Sequence, residues 1–78
     1  MISEKFIVIP YRSNRGRLTP GEIRQASNAV SAERIATAMS GRHPAVAAYS
    51  VQVESETGDM TSPKIIVSFG DVPPLEAD

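Results

Sequence analysis

The chain of 78 residues has no cysteine and no tryptophan, and its only histidine is His43. The lack of cysteine excludes disulfides and thiolate metal sites, and one histidine leaves no Cys/His cluster for structural zinc. It also fits a reducing compartment. No apolar run approaches the ~20 residues of a membrane-spanning helix. Ahead of Pro10 there are only four consecutive apolar residues, Phe6-Ile7-Val8-Ile9. That is too few for a signal-peptide core, so a cytoplasmic location with no membrane association is expected. There is no phosphate-binding glycine loop of the P-loop or dinucleotide kind, no nucleophile elbow and no metalloprotease helix motif. No cofactor or metal is therefore expected. An excess of positive charge is missing too: the net charge is −1 and the isoelectric point about 5.7, unlike a typical nucleic-acid binder.

What is present is an uneven distribution of charge. Met1 to Ala45 carry seven bases (Lys5, Arg12, Arg15, Arg17, Arg24, Arg34, Arg42) against three acids (Glu4, Glu22, Glu33). Val46 to Asp78 carry one base, Lys64, against six acids (Glu54, Glu56, Asp59, Asp71, Glu76, Asp78). The halves hold +4 and −5. Such asymmetry points to an anion-seeking face or to self-complementary association. A chain of this length is one domain and buries only ~60% of its unfolded surface. With disulfides and metals excluded, oligomerisation is the remaining support for so thin a core.

Three strands and one helix are legible. Lys5 to Arg12 reads as a strand apolar on both faces, with Pro10 placed at an edge or end. Ser13 to Gln25 reads as a loop or isolated turn, polar over Ser13-Asn14-Arg15-Gly16-Arg17, although Thr19-Pro20-Gly21-Glu22 has the spacing of a capping box. Ala32, Ile35, Ala36 and Met39 then follow the i, i+3, i+4, i+7 rule. They predict a helix from about Asn28 to Ser40, capped by Ser27 or Asn28 and ended by Gly41. Val46 to Glu54 alternates as a second strand, Ser55 to Ser62 holds a turn around Thr57-Gly58-Asp59, and Lys64 to Phe69 is a third strand. The ordered core is expected over residues 5–72, with a frayed acidic tail over 73–78.

These elements predict a small two-layer α+β domain of βαββ type: a three-stranded mixed sheet with one covering helix. The first and second strands should be parallel through a right-handed helical crossover. The two-sided apolar third strand should be central, which leaves the first strand on an edge. An apolar edge is unstable in a monomer. A homodimer is therefore expected, either by pairing of two first strands through Phe6, Ile7, Val8 and Ile9 or by packing of two open sheet faces.

Several short motifs run along the chain: Ile9-Pro10-Tyr11-Arg12, Pro20-Gly21-Glu22, an alanine-rich helix, Ala48-Tyr49-Ser50, Thr57-Gly58-Asp59, and Phe69-Gly70-Asp71-Val72-Pro73. Together they resemble a family of small bacterial proteins of about this length that has no assigned activity. The resemblance therefore implies no catalytic residues. Ile23 stands where it leads one to expect another proline.

The candidate chemistry is sparse. Arg12, Arg15 and Arg17, with Gly16 between, form a loop able to grip phosphates, and Tyr11 offers a stacking face for an unpaired base. The competing reading is a solvated loop that pairs with the acidic half. His43 would need Ser40 or Ser50 within reach to serve catalysis, and a helix-terminal histidine near free carbonyls accounts for its position better. Glu54, Glu56 and Asp59 cluster at a polar turn without calcium-loop spacing and read as solvated acids. Tyr49, Phe69 and Met39 read as core, and Met60 as a turn residue open to solvent. The expectation is a non-enzymatic protein-association module acting as a homodimer. The alternative is weak nucleic-acid or phosphate binding through residues 12–17.

Overall fold

The computed structural model describes residues 1–73. One helix lies across a five-stranded antiparallel sheet. The strands are β1 (Ile2–Asn14), β2 (Arg17–Pro20), β3 (Arg24–Ala26), β4 (Ala45–Glu54) and β5 (Met60–Phe69), and the helix is α1 (Ala29–Ser40). The sheet order is β2-β1-β4-β5, with β3 following β2 along the same side of β1. The expected α+β class, single helix and three principal strands are all present.

The sheet itself corrects the prediction in four ways. It has five strands rather than three, it is wholly antiparallel, β4 rather than the third predicted strand is central, and β1 is flanked on both sides. One cause accounts for the direction. The stretch read as a loop contains a hairpin: Arg15 and Gly16 both have positive φ, 55° and 79°, which turns the chain in two residues. β2 pairs Leu18 with Ser13, and β3 pairs Arg24 with Val8. The chain is thus reversed once more before the helix begins, so β4 returns antiparallel to β1. The length of α1 fits this path. Twelve residues rise about 18 Å. The helix carries the chain from Ala26, opposite Phe6, to Ala45, opposite Tyr11. Five residues of strand span about 17 Å.

The helix begins where the sequence places it. Asn28 is the N-cap, and its Oδ1 accepts from the Ser31 N–H at 2.8 Å. Asn28→Ala is expected to cost about 1 kcal/mol, read as a lower denaturation midpoint at unchanged m-value. Asn28→Ser should recover most of the loss. Gly41 ends the helix in a right-handed conformation, φ −77°, so its freedom as glycine is not used there.

The two faces of the sheet have separate cores. On the helix side, Val8, Val46 and Ala48 meet Ala32, Ala36 and Met39, with Phe6, Val67 and Phe69 packed around them. Alanine at both layers lets the helix approach closely, at the expense of core volume. On the other side lie Ile7, Ile9, Tyr11, Ala45, Ala47, Tyr49 and Val51, joined by Leu18, Val53 and Val72. The two-sided apolar look of the third predicted strand reflects this second face and not a central position. Ile65 opposes Tyr49, Val67 opposes Ala48, and Ile66 is the extra residue of a bulge between them.

At the far end of the sheet the Met1 ammonium donates to Glu54 Oε1 at 2.7 Å, and the Glu56 N–H donates to the same oxygen at 3.3 Å. The ammonium first, and the backbone N–H second, hold the Glu54 carboxyl below its usual range. A lowered folded-state value stabilises above the ordinary carboxylate range, and that contribution is lost as pH falls through the lowered value. Melting Glu54→Gln beside the parent protein should show a gap at neutral pH that closes in acid. A gap that persists unchanged to acid pH would assign the effect to something other than ionisation. The expected fraying of the tail lies, beyond Pro73, outside the described residues.

Candidate functional site

The face of the sheet opposite α1 has no second layer among the described residues. Its pairs run Tyr11 with Ala45, Ile9 with Ala47, Ile7 with Tyr49 and Lys5 with Val51. At one end it is roofed by its own large side chains: Tyr11 and Tyr49 are buried, and Leu18 and Val72 pack against the cluster. The Tyr49 phenol titrates above its ordinary range because it is buried and because the Tyr11 phenol lies beside it. The turn at Gly70, φ 78°, crosses Pro44 and Ala45 and directs Val72 onto this end.

The other end is open. Lys5, Ile7, Ile23, Gln25, Val53 and Met60 surround a groove of about 300 Å³. Ile23, Met60 and Ile65 remain 53%, 58% and 58% exposed. Ile23 and Met60 line this groove, and Ile65 stands further along the same face, opposite Tyr49. Isolated exposed apolar residues are ordinary, but three on one face left uncovered by the described residues are not. Ile23 precedes β3 while Met60 and Ile65 both belong to β5, and the two stretches share a face only when β3 and β5 flank the β1–β4 pair.

Phe6, Ile7, Val8 and Ile9 divide by strand alternation. Ile7 and Ile9 belong to the open face, whereas Phe6 and Val8 pack under the helix. Their backbone is not a free edge: β4 occupies one side of Phe6–Ile9, and β3 pairs with Phe6, Ile7 and Val8 on the other. Edge-to-edge pairing of two first strands would need a backbone edge that β3 and β4 occupy at Phe6, Ile7 and Val8. One free edge is formed by β2 and β3, strands of only four and three residues; the other is β5, and it is poorly suited to pairing. It carries Pro63 and Lys64, left-handed Ser62 (φ 52°) and two register shifts.

Arg15 sits at the apex of the β1–β2 hairpin, with Arg12 and Arg17 on diagonal positions below it, opposite Thr19 and Asn14. All three are exposed, and none forms an ion pair with another described residue. His43, half-buried, follows the helix beside the Tyr11 end of β1. The Ser40 hydroxyl donates to the Thr37 carbonyl, and Ser50 opposes Phe6, about 17 Å along β1 from Tyr11. No serine–histidine pair results. Among the described residues no group of three or more His, Asp or Glu side chains is placed to hold a metal ion. No helix among them is long and apolar enough to cross a membrane. No family model, curated protein or solved structure matches this chain.

The sequence reading missed Ile23 and Ile65 as surface residues and took Met60 only as a turn residue. The one available signal was Ile23, a lone large apolar residue in a polar stretch.

Proposed function

We propose that this chain is a non-enzymatic association module that pairs with a second copy of itself through the open face of its sheet. The observation that carries the reading is the groove lined by Ile23 and Met60, with exposed Ile65 further along the same face, which no described residue covers. A sheet with one bare apolar face completes a domain by stacking on another layer. The flattened dimensions, 39 × 27 × 17 Å, are those of one sheet and one helix.

Charge favours the same occupant. Lys5 lies on the open face near β3, while Asp59 stands in the turn into β5 on the other side of the sheet. A two-fold axis along the strands sets the basic side of one copy over the acidic side of the other, which suits an isologous interface. The short β2 and β3 strands on one edge and the blunted β5 on the other favour the face over either edge for pairing.

Light-scattering mass after size exclusion, at low and high salt, tests this. Twice the 8.4 kDa chain mass is expected at both salts, because burial of apolar area survives screening. A monomer at both salts, at micromolar concentration, overturns the proposal. A dimer lost at high salt would replace the apolar face with a charge-driven contact. The competing reading, phosphate contact through Arg12, Arg15 and Arg17, predicts no salt-resistant dimer and a steep loss of anion binding with salt.

A further inference from the structure

On the opposite, helix-bearing side, the end of α1 leaves the upper part of β1 uncovered. There Arg12, Arg24, His43 and Glu22 surround a cleft of about 350 Å³, with buried Pro10 and Met39 also in its lining. We infer that this cleft binds a small phosphomonoester that carries an amine or other hydrogen-bond donor at its far end.

The placement follows from the register. Val8, Pro10 and Arg12 alternate onto the helix side of β1, and Arg24 stands opposite Val8 on β3. The bend between β2 and β3 is pinned to β1, because the Gly21 N–H donates to the Pro10 carbonyl at 2.7 Å. A Cβ at Gly21 would lie 3.4 Å from that oxygen, so the wall holds a tight approach. Met39 comes from the last turn of α1 and His43 from the loop beyond it. The site thus draws on β1, the β2–β3 bend, β3, α1 and the loop after it, and the hairpin tip with Arg15 and Arg17 contributes nothing to its lining.

The balance of charge selects the ligand. Arg12 and Arg24 form no ion pair with a described residue. Guanidinium groups are the side chains best matched to phosphate oxygens, through paired N–H donors. Glu22 cancels one of the two charges, and the carbonyl end of the helix contributes about −0.5. The remaining excess, about half a positive charge, is too small to hold a polyanion. It suits a compact molecule with a phosphate toward the arginines and a donor toward Glu22. His43 supplies a further ring nitrogen for hydrogen bonding, and Pro10 and Met39 offer apolar contact to the body of the ligand. The volume is at the small end of the ~300–1,000 Å³ of ligand pockets, the scale of a metabolite. The cleft is on the side of the sheet away from the proposed dimer interface, so neither reading depends on the other.

The test is a titration followed by backbone amide NMR, with phosphoethanolamine, inorganic phosphate and ethanolamine as separate probes. Phosphoethanolamine should shift the amides of Gly21, Arg24 and His43 saturably, more tightly than phosphate, and ethanolamine should shift none of them. Arg12→Gln with Arg24→Gln should weaken phosphoethanolamine at least tenfold, since a single charge-assisted hydrogen bond to phosphate is worth about that factor. Arg15→Gln with Arg17→Gln should leave it unchanged. Glu22→Gln should weaken phosphoethanolamine but not phosphate. The inference fails if phosphoethanolamine gives no saturable shift, if the shifts centre on residues 14–17, or if a single-stranded oligonucleotide binds more tightly than phosphoethanolamine.

Discussion

Gly70→Ala is expected to destabilise the protein more than any other exchange of a glycine for alanine. Two costs add at this position. The backbone is left-handed, φ 78°, which is worth about 1–2 kcal/mol to a residue with a Cβ. The new methyl would also run into the Pro44 carbonyl oxygen and stand 3.2 Å from the Ala45 Cα. Ala45 is fully buried and paired with Tyr11, so neither strand end can retreat cheaply. A combined loss of about 3 kcal/mol or more follows, since overpacking a fixed contact adds a further 1–3 kcal/mol. For a domain of this size that corresponds to a fall in Tm on the order of 15–20 °C. Gly58 separates the two costs. It has the same left-handed backbone, φ 77°, but nothing within 4 Å of its missing Cβ. Gly58→Ala should lower Tm by only about 5 °C, the conformational cost alone. If thermal denaturation gave the two variants the same Tm, the close crossing of the chain over Pro44 would have no energetic weight.

Ile65→Glu is expected to dissociate the proposed dimer. Ile65 is on the open face beside Tyr49 and is 58% exposed in the single chain, so the substitution disturbs little of the folded monomer. In a face-to-face dimer it would bury a carboxylate in an apolar interface. By symmetry each substitution acts twice. At about 2 kcal/mol or more per site, the dissociation constant should rise roughly a thousandfold. Val30→Glu provides the control. Val30 is 65% exposed on α1, on the opposite side of the molecule. It should leave the mass unchanged and so exclude a general effect of added negative charge. Circular dichroism of both variants establishes that the fold is retained. A dimer that persists in Ile65→Glu, with the fold intact, would remove the open face as the interface.

Much of the fold could be read from residue order. The stripe of Ala32, Ile35, Ala36 and Met39 marks the buried side of α1, and Asn28 caps it, because the helical period and the cap both act over a few residues. The alternation from Val46 to Glu54 gave β4 for the same kind of reason. β2 and β3 escaped notice because strands of four and three residues carry no measurable period. Their hairpin, with Arg15-Gly16 at its turn, also lacks the Asn-Gly or Asp-Gly pair that marks such turns most strongly. That one omission reversed the inferred direction of β4 and moved β1 from the edge to the interior.

The candidate sites were less legible still. Arg12 was visible within an arginine-rich loop, but the residues that share its cleft are Arg24, Glu22 and His43, not Arg15 and Arg17. Ile23 lies in one stretch of the chain, and Met60 and Ile65 lie in another, far from it in sequence.

What the sequence determined by itself was local: the helix and its cap, the main strands, the absence of cysteine chemistry, and the division of charge between the halves. Each depends on residues a few positions apart, or on a simple count. Only the tertiary structure decided which strand is central, which face of the sheet the described residues leave uncovered, and which arginines share a cleft with the histidine. Those depend on strand direction and register. They were set by a two-residue turn whose effect reaches the far side of the sheet, where no local pattern records it.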